Sequence, residues 1–133
     1  MRSAIIDDNS TIGITVEAVL RKNGSIMAWD SMDKFKDAES FKKAYYEGGV
    51  NFYGAIICDH DLGLDQPNGY EIATVLRDSG YQGKLILLTG NDSSSMALRM
   101  GATQGVDYVV KNFASKGKNA YDLLSSLLGE ARS

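Results

Sequence analysis

The sequence is poor in cysteine, proline and histidine, with one of each among 133 residues. A single thiol, Cys58, cannot form an intramolecular disulfide or a cysteine-based zinc site, and lone thiols are typical of a reducing compartment. No stretch approaches the roughly 18 apolar residues of a membrane span. The chain also reaches Asp7 and Asp8 after an apolar run too short for a signal peptide. We therefore expect a cytoplasmic protein.

An excess of positive charge is also missing. The chain has 14 lysines and arginines against 17 aspartates and glutamates, which gives a net charge of -3. Binding to nucleic acid or to an anionic membrane needs a basic face. We therefore expect neither a direct nucleic-acid partner nor a membrane partner.

The length and composition that remain are those of one globular domain. With 133 residues, 44% of them hydrophobic, the chain is long enough for a core and too short for two domains. It has no internal repeat and no linker-like segment. The expected organisation is a single domain over residues 1–133.

Short apolar runs alternate with helical patterns along the whole chain. This alternation is typical of a parallel sheet covered by helices on both faces. The runs are almost entirely apolar, as strands buried on both faces should be. The predicted strands are Ser3–Ile6, Ser25–Trp29, Gly54–Cys58, Lys84–Leu88 and Val106–Val110.

A helical pattern follows each predicted strand. Asn9 or Ser10 is the expected N-cap of the first helix and Ser31 that of the second. The third helix is predicted from about Tyr70 to Ser79, the fourth over residues 93–100, and the fifth is marked by leucines in the last fifteen residues. Their apolar stripes contain Ile12, Val16, Val19 and Leu20; Phe35, Ala38, Phe41 and Tyr45; Ile72, Ala73 and Leu76; and Tyr121, Leu124, Leu127 and Leu128. The predicted fold class is α/β, a (βα)5 doubly wound parallel sheet.

Polar side chains follow four of the five predicted strands. In a parallel α/β sheet the ligand site lies beyond the carboxyl ends of the strands, where the strand order reverses. We therefore expect the side chains that follow these strands to share one edge of the sheet. They are Asp7, Asp8, Asp59, Thr89 and Lys111.

The three aspartates converge if the first strand lies beside the third. Carboxylates that close raise one another's pKa unless a cation intervenes. Mg²⁺ is the natural cation, because it prefers oxygen ligands and uses one or two carboxylates together with a phosphate oxygen. A carboxylate beside a metal, a hydroxyl and an ammonium group has the parts needed to move a phosphoryl group onto aspartate.

These residues carry a resemblance to a known family: the chain resembles the receiver domains of two-component response regulators. The motifs are the acidic pair of IIDD, the aspartate that closes AIICD, the threonine of LILLTG and the lysine of GVDYVVK. Each motif is weak alone, but their order and the 22-residue interval from Thr89 to Lys111 are specific. The resemblance covers essentially the whole chain. It implies a flavodoxin-like sheet with strand order 2-1-3-4-5.

The resemblance implies a role for each aspartate of the site. Asp59 would accept a phosphoryl group from a histidine kinase or a histidine phosphotransfer protein. Asp8 and Asp59 would bind Mg²⁺ directly, Asp7 would act partly through water, and Asp61 would contribute its backbone carbonyl. On this interpretation the protein is not an enzyme in the usual sense, although it assists its own phosphorylation and dephosphorylation.

The resemblance also implies a switch. Thr89 would hydrogen-bond one phosphoryl oxygen and Lys111 would pair with another, while Tyr108 moves inward when Thr89 moves. The altered surface would be the fourth helix, fifth strand and fifth helix. That surface would contact a downstream output domain or protein, or a second copy of the chain in a homodimer.

The sequence departs from the family pattern at two places. The family usually has a glycine eight residues after the phosphoacceptor, but here Gly69 stands ten residues after Asp59. Gly63 stands where the family usually has a proline, four residues after the phosphoacceptor. Asn112 stands where a proline usually follows Lys111. A cis bond without proline costs about 3–4 kcal/mol, so we expect the peptide bond between Lys111 and Asn112 to be trans.

Other residues near the site have simpler interpretations. His60 follows Asp59 and should point to the opposite face of the sheet, which argues against a role as general base. The same alternation makes Cys58 a small core residue. Tyr108 can also be read as a packing aromatic. Asp7 and Asp8 alone would pass for turn residues, and only the whole set favours function.

Two other functions stay open for the whole chain. A receiver-like docking module that is never phosphorylated would carry the same residues. The segment DHDLGL also resembles the Asp-x-Asp motif of haloacid-dehalogenase-type phosphatases, although those chains place an acidic pair after the lysine and none follows Lys111.

Overall fold

A computed structural model describes residues 1–59, 62, 66–88, 106–110 and 118–132. In the described part of the chain a helix follows each of β1, β2, β3 and β5, as the sequence pattern predicts. The elements are β1 (Arg2–Ile6), α1 (Ser10–Lys22), β2 (Ser31–Phe35), α2 (Ala38–Gly48), β3 (Ala55–Asp59), α3 (Gly69–Asp78), β4 (Lys84–Leu88), β5 (Tyr108–Val110) and the C-terminal helix (Lys118–Arg132). The predicted fourth helix, over residues 93–100, lies outside the described residues.

The five strands form one parallel sheet in the order β2-β1-β3-β4-β5. This confirms the predicted flavodoxin-like order. The chain winds outward in both directions from β1, so β1 and β3 are neighbours although β2 separates them in sequence. In the register of the sheet, Ile6 at the end of β1 lies between Phe35 of β2 and Cys58 of β3. The carboxyl ends of these strands therefore meet at one edge.

Both faces of the central strands are buried. Ile56 and Cys58 of β3 pack in a cluster with the apolar faces of α2 and α3. Ile57, between them, packs in a second cluster with α1 and the C-terminal helix. Burial on both faces explains why β1, β3 and β4 are apolar over most of their length. Among the described residues, no helix is both long and apolar enough to cross a membrane.

The predicted second strand at Ser25–Trp29 is wrong, because β2 is Ser31–Phe35. The apolar run forms a loop instead: Ile26 is buried in the core, but the side chain of Trp29 is 76% exposed. Asp30 is buried and closes the loop, since its carboxylate accepts hydrogen bonds from the Met27 amide at 2.9 Å and from the Met1 amino group at 2.6 Å.

The true β2 is an edge strand, which explains why it was missed. Its segment SMDKF is only partly buried and carries two charges. Asp33 accepts hydrogen bonds from the Arg2 guanidinium at 2.9 Å and the Tyr53 hydroxyl at 2.8 Å, and Lys34 forms an ion pair with Glu17 of α1. Partners supplied by distant segments make these charges compatible with a strand, and no local pattern reveals them.

The start of the second helix also differs from the prediction. Ser31 and Phe35 belong to β2, and the N-cap of α2 is Asp37, whose carboxylate accepts a hydrogen bond from the Ser40 amide at 2.8 Å. Phe41 and Tyr45 form the buried stripe of α2, as predicted. The misplaced strand therefore shifted the predicted helix start by about two turns.

The ends of α1 and α3 lie at residues whose types are typical of helix caps. Asn9 caps α1 by accepting a hydrogen bond from the Thr11 amide at 3.0 Å, and Asn68 caps α3 in a capping box with Glu71. Glycines with positive φ follow both helices, Gly24 at 79° and Gly80 at 96°. The predicted C-terminal helix is confirmed, with its leucines buried against α1 and the sheet.

Two buried tyrosines give a paired test of polar burial. The Tyr81 hydroxyl is buried and has no hydrogen-bond partner among the described residues, whereas the Tyr53 hydroxyl donates to Asp33. We expect Tyr81→Phe to raise the free energy of unfolding by about 1 kcal/mol and Tyr53→Phe to lower it by about 1–2 kcal/mol. Urea unfolding of the two variants measures both changes. A Tyr81→Phe variant as destabilised as Tyr53→Phe would contradict this account.

Candidate functional site

Three carboxylates converge where β1 and β3 end. Asp7 and Asp8 follow the last residue of β1, and Asp59 is the last residue of β3. One carboxylate oxygen from each of the three side chains lies within 4.8 Å of the other two. Asp7 is buried, Asp59 is half-buried and Asp8 is exposed. The convergence expected from the sequence is therefore present.

Hydrogen bonds to the backbone fix Asp7 in this cluster. Its amide donates to the Phe35 carbonyl at the end of β2, at 2.9 Å. Its carboxylate accepts a hydrogen bond from the Asn9 amide at 2.8 Å, just before α1 begins. Asp7 thus links β1, β2 and the start of α1. The aspartate two residues before an N-cap is a local turn signal, but the contact with Phe35 depends on the strand register.

The cluster is electrostatically costly without a cation. Burial raises the pKa of Asp7 to about 6, with a further increase from the neighbouring Asp8 and an opposing effect of the Asn9 amide. A divalent cation would stabilise the ionised carboxylates. The donors are all oxygens and range from buried to exposed, which fits Mg²⁺ because it keeps several water ligands. Asp7, Asp8 and Asp59 are the residues that would hold it.

Cys58 lies next to this cluster but does not belong to it. Its side chain is buried in the core on the α2 and α3 face, as expected. The thiol donates to the Asp59 carbonyl at 3.2 Å. Burial, and secondarily the charge of Asp59, raises the pKa of the thiol far above its usual range. Cys58 therefore stays a thiol and serves as packing.

The remaining predicted site residues fall largely outside the described part of the chain. Tyr108 begins β5, and its backbone pairs with Ile86 of β4. The ends of these strands, Leu88 and Val110, are partners in the same register. Outside the described residues lie His60, Asp61, Thr89, Lys111 and the peptide bond between Lys111 and Asn112. Their roles stay predictions.

Comparison with known proteins identifies the class. The family model of the response regulator receiver domain matches residues 4–118, and the chain belongs to this family. Receiver domains are the phosphoacceptor modules of two-component systems.

Solved structures of receiver domains share the fold at low sequence identity. A receiver-domain protein from Clostridium thermocellum has 18% identity and a TM-score of 0.76, with 98% of this chain and 92% of that chain covered. The beryllofluoride-activated DrrB receiver domain has 21% identity and a TM-score of 0.74, covering 98% and 96%. TrrA from Thermotoga maritima, in complex with Mg²⁺ and beryllofluoride, has 22% identity and a TM-score of 0.69, covering 95% and 97%.

The charge of Asp7 gives a stability test of the acidic cluster. The pKa of Asp7 is about 6 in the folded protein and 3.8 as the reference value, so its ionisation opposes folding. Without divalent cations, its contribution to stability should decline as pH rises from about 4 to about 6. At pH 7.5 in EDTA, Asp7→Asn should therefore raise the free energy of unfolding by on the order of 2 kcal/mol.

The control for this test is Asp8→Asn, which removes an exposed member of the same cluster and should have a smaller effect. Adding Mg²⁺ should raise the Tm of the unmodified protein more than that of Asp7→Asn, because the variant has one fewer negative charge for the cation to offset. Equal stability of Asp7→Asn and the unmodified protein in EDTA would show that the cluster is not strained.

Proposed function

We propose that this protein is a phosphorylation-dependent signalling switch. Asp59 accepts a phosphoryl group from a histidine kinase or a histidine phosphotransfer protein, with Mg²⁺ bound at the acidic cluster. The observation that carries the proposal is the convergence of Asp7, Asp8 and Asp59 at the ends of β1 and β3 in a receiver domain.

Burial and position favour Asp59 as the phosphoacceptor. Asp7 is buried and its carboxylate is engaged by the Asn9 amide, whereas Asp8 is exposed. Asp59 is half-buried and its backbone is fixed beside Leu88 in the sheet. A nucleophile needs both access and a fixed position. Of the three carboxylates, Asp59 combines them.

The transfer step exchanges one bond to phosphorus for another. A carboxylate oxygen of Asp59 forms a P–O bond as the P–N bond of the donor phosphohistidine breaks. The imidazole leaves with the electron pair of that bond and takes a proton from solvent, and the product is an aspartyl phosphate. When bound, Mg²⁺ supplies positive charge that offsets the phosphoryl oxygens.

Each remaining residue has a role in this proposal. Asp8 and Asp59 would bind the cation directly, Asp7 would act partly through water, and Asp61 would add its backbone carbonyl. Thr89 and Lys111 bind phosphoryl oxygens, which places a hydroxyl and an ammonium group against the new dianion. The family match and the positions of Leu88 and Val110 at paired strand ends support this assignment.

The added charge changes a surface that partners contact. As Thr89 moves towards the phosphoryl group, Tyr108 fills the space that it leaves, and the surface formed by the fourth predicted helix, β5 and the C-terminal helix repacks. The output domain, output protein or second copy binds there. We place this switch in the cytoplasm. Structures of relatives that were studied with beryllofluoride, among them a dimer of the NtrC4 receiver domain, support the proposed switch and its use as an interaction surface.

The docking-module alternative differs from this proposal only in activity. It keeps the same acidic cluster and predicts no phosphorylation. The phosphatase alternative has no support beyond DHDLGL, and the family match over residues 4–118 favours a receiver domain. One experiment distinguishes the three.

Intact mass spectrometry after incubation with acetyl phosphate tests the proposal. We expect one phosphoryl adduct with Mg²⁺ and none in EDTA or in Asp59→Asn, because the acceptor or the cation is then missing. Asp78→Asn, at the exposed end of α3, should keep the adduct and serves as the matched control. A protein that neither binds Mg²⁺ nor accepts phosphoryl from donors or kinases would instead be a docking module. Turnover of many equivalents of a phosphomonoester would indicate a phosphatase.

A further inference from the structure

A cavity of about 140 Å³ opens between α1 and the carboxyl ends of β1 and β2. Its walls are largely apolar and include Ile5, Gly13 and Ile14. Phe35 also borders the cavity, although its ring packs against Phe41 on the other face of the sheet. Asp7 also lines the cavity. The cavity lies towards β2 from Asp7, and Asp59 lies towards β3. The proposed phosphoryl transfer makes no use of this space.

Gly13 keeps the cavity open. It lies inside α1, where helical dihedral angles do not require glycine and alanine would favour the helix more. A Cβ atom at this position would lie 3.2 Å from Cδ of Lys34 and 3.6 Å from Cγ2 of Ile5. Because Gly13 has no side chain, the aliphatic stem of Lys34 can lie across α1, and space is left between α1 and β2.

The two lysines of the cavity have different environments. The ammonium group of Lys34 pairs with Glu17 on α1, so its stem acts as a wall. Lys36 also lines the cavity, and no ion pair with a carboxylate is found for it among the described residues. The rim thus has a positive charge available to a ligand. Ile14, on the same rim, is 60% exposed.

We propose that this cavity binds a small organic monoanion whose apolar body is about the size of one aromatic ring. An apolar cavity of about 150 Å³ is large enough for benzene, which sets the size of the body. Ile5, Ile14 and the aliphatic stem of Lys34 contact this body. Lys36 pairs with the anionic group of the ligand.

The shared residue Asp7 couples this ligand to the acidic cluster. Without a cation, the ionised carboxylates repel an anion in the neighbouring cavity. With Mg²⁺ bound, that repulsion is offset, so the anion should bind more tightly. By thermodynamic linkage the anion must then raise the affinity for Mg²⁺ by the same factor. This coupling rests on the proposed function, whereas the existence of the cavity site does not.

Titration with benzoate, followed by amide chemical shifts of the isotope-labelled protein, tests the site. We expect saturable shifts at Gly13, Ile14, Phe35 and Lys36. Benzamide, which keeps the ring and lacks the charge, should bind about two- to fivefold more weakly at low ionic strength. Acetate, which lacks the ring, should show no saturable binding at the same concentrations.

Two pairs of variants locate the binding. Gly13→Ala places a methyl group in the cavity and should weaken benzoate binding about threefold or more, whereas Gly129→Ala adds a methyl group to open space on the C-terminal helix and should not. Lys36→Gln should abolish the preference for benzoate over benzamide. Lys43→Gln, on the exposed surface of α2, should leave that preference unchanged. All four substitutions are conservative for folding, and thermal unfolding checks this.

The outcomes separate the site from the coupling. No saturable benzoate binding, or equal binding by the unmodified protein and both Gly13→Ala and Lys36→Gln, overturns the site. Binding of the same strength in EDTA and in Mg²⁺ overturns the coupling. Titration in EDTA does not depend on phosphorylation, so a failure of Asp59 to accept a phosphoryl group would not affect it.

Discussion

Burial of the sheet on both faces is the constraint on which the rest of the structure depends. Strands β1, β3 and β4 are buried except at one terminal residue of each, because α2 and α3 cover one face while α1 and the C-terminal helix cover the other. Ionised groups cannot be placed inside such a sheet without large desolvation costs. Its polar chemistry is therefore confined to the strand ends, and parallel strands bring those ends to one edge.

The acidic cluster is the product of this arrangement. The winding of the chain outward from β1 makes β1 and β3 neighbours, and three carboxylates at their carboxyl ends lie within 4.8 Å of one another. Buried Asp7 is held there by the Phe35 carbonyl and the Asn9 amide, although its own ionisation is unfavourable. The fold thus provides rigid oxygen ligands whose repulsion a cation would relieve. A site of this kind is preorganised for binding and strained without its ligand.

The β2 edge gives this site a neighbour with different properties. Lys34 extends over the bare backbone of Gly13 towards Glu17, and this packing leaves an apolar cavity that shares Asp7 with the acidic cluster. A charge placed in one of these sites acts on the other because Asp7 belongs to both. Coupling between them therefore requires no movement of the sheet, only the change in charge that each ligand brings.

Much of this protein is determined by its sequence. The apolar runs of β1, β3 and β4, the cap at Asn9 and the glycines after α1 and α3 are local signals, and the structure follows them within a residue or two. The order of the acidic, hydroxyl and ammonium residues at the strand ends is also visible in the sequence. It was enough to predict the family and the convergence of the three aspartates.

Other features were decided only by the tertiary structure. The segment Ser25–Trp29 resembles a buried strand, but β2 is the polar segment after it, because its charges find partners in Arg2, Tyr53 and Glu17. The raised pKa of Asp7 and the cavity beside Gly13 likewise depend on packing between elements. Local patterns report backbone preference and average burial. The pairing of an edge strand and the space between packed side chains are set by residues that are distant in the chain, and these arise only when the sheet is assembled.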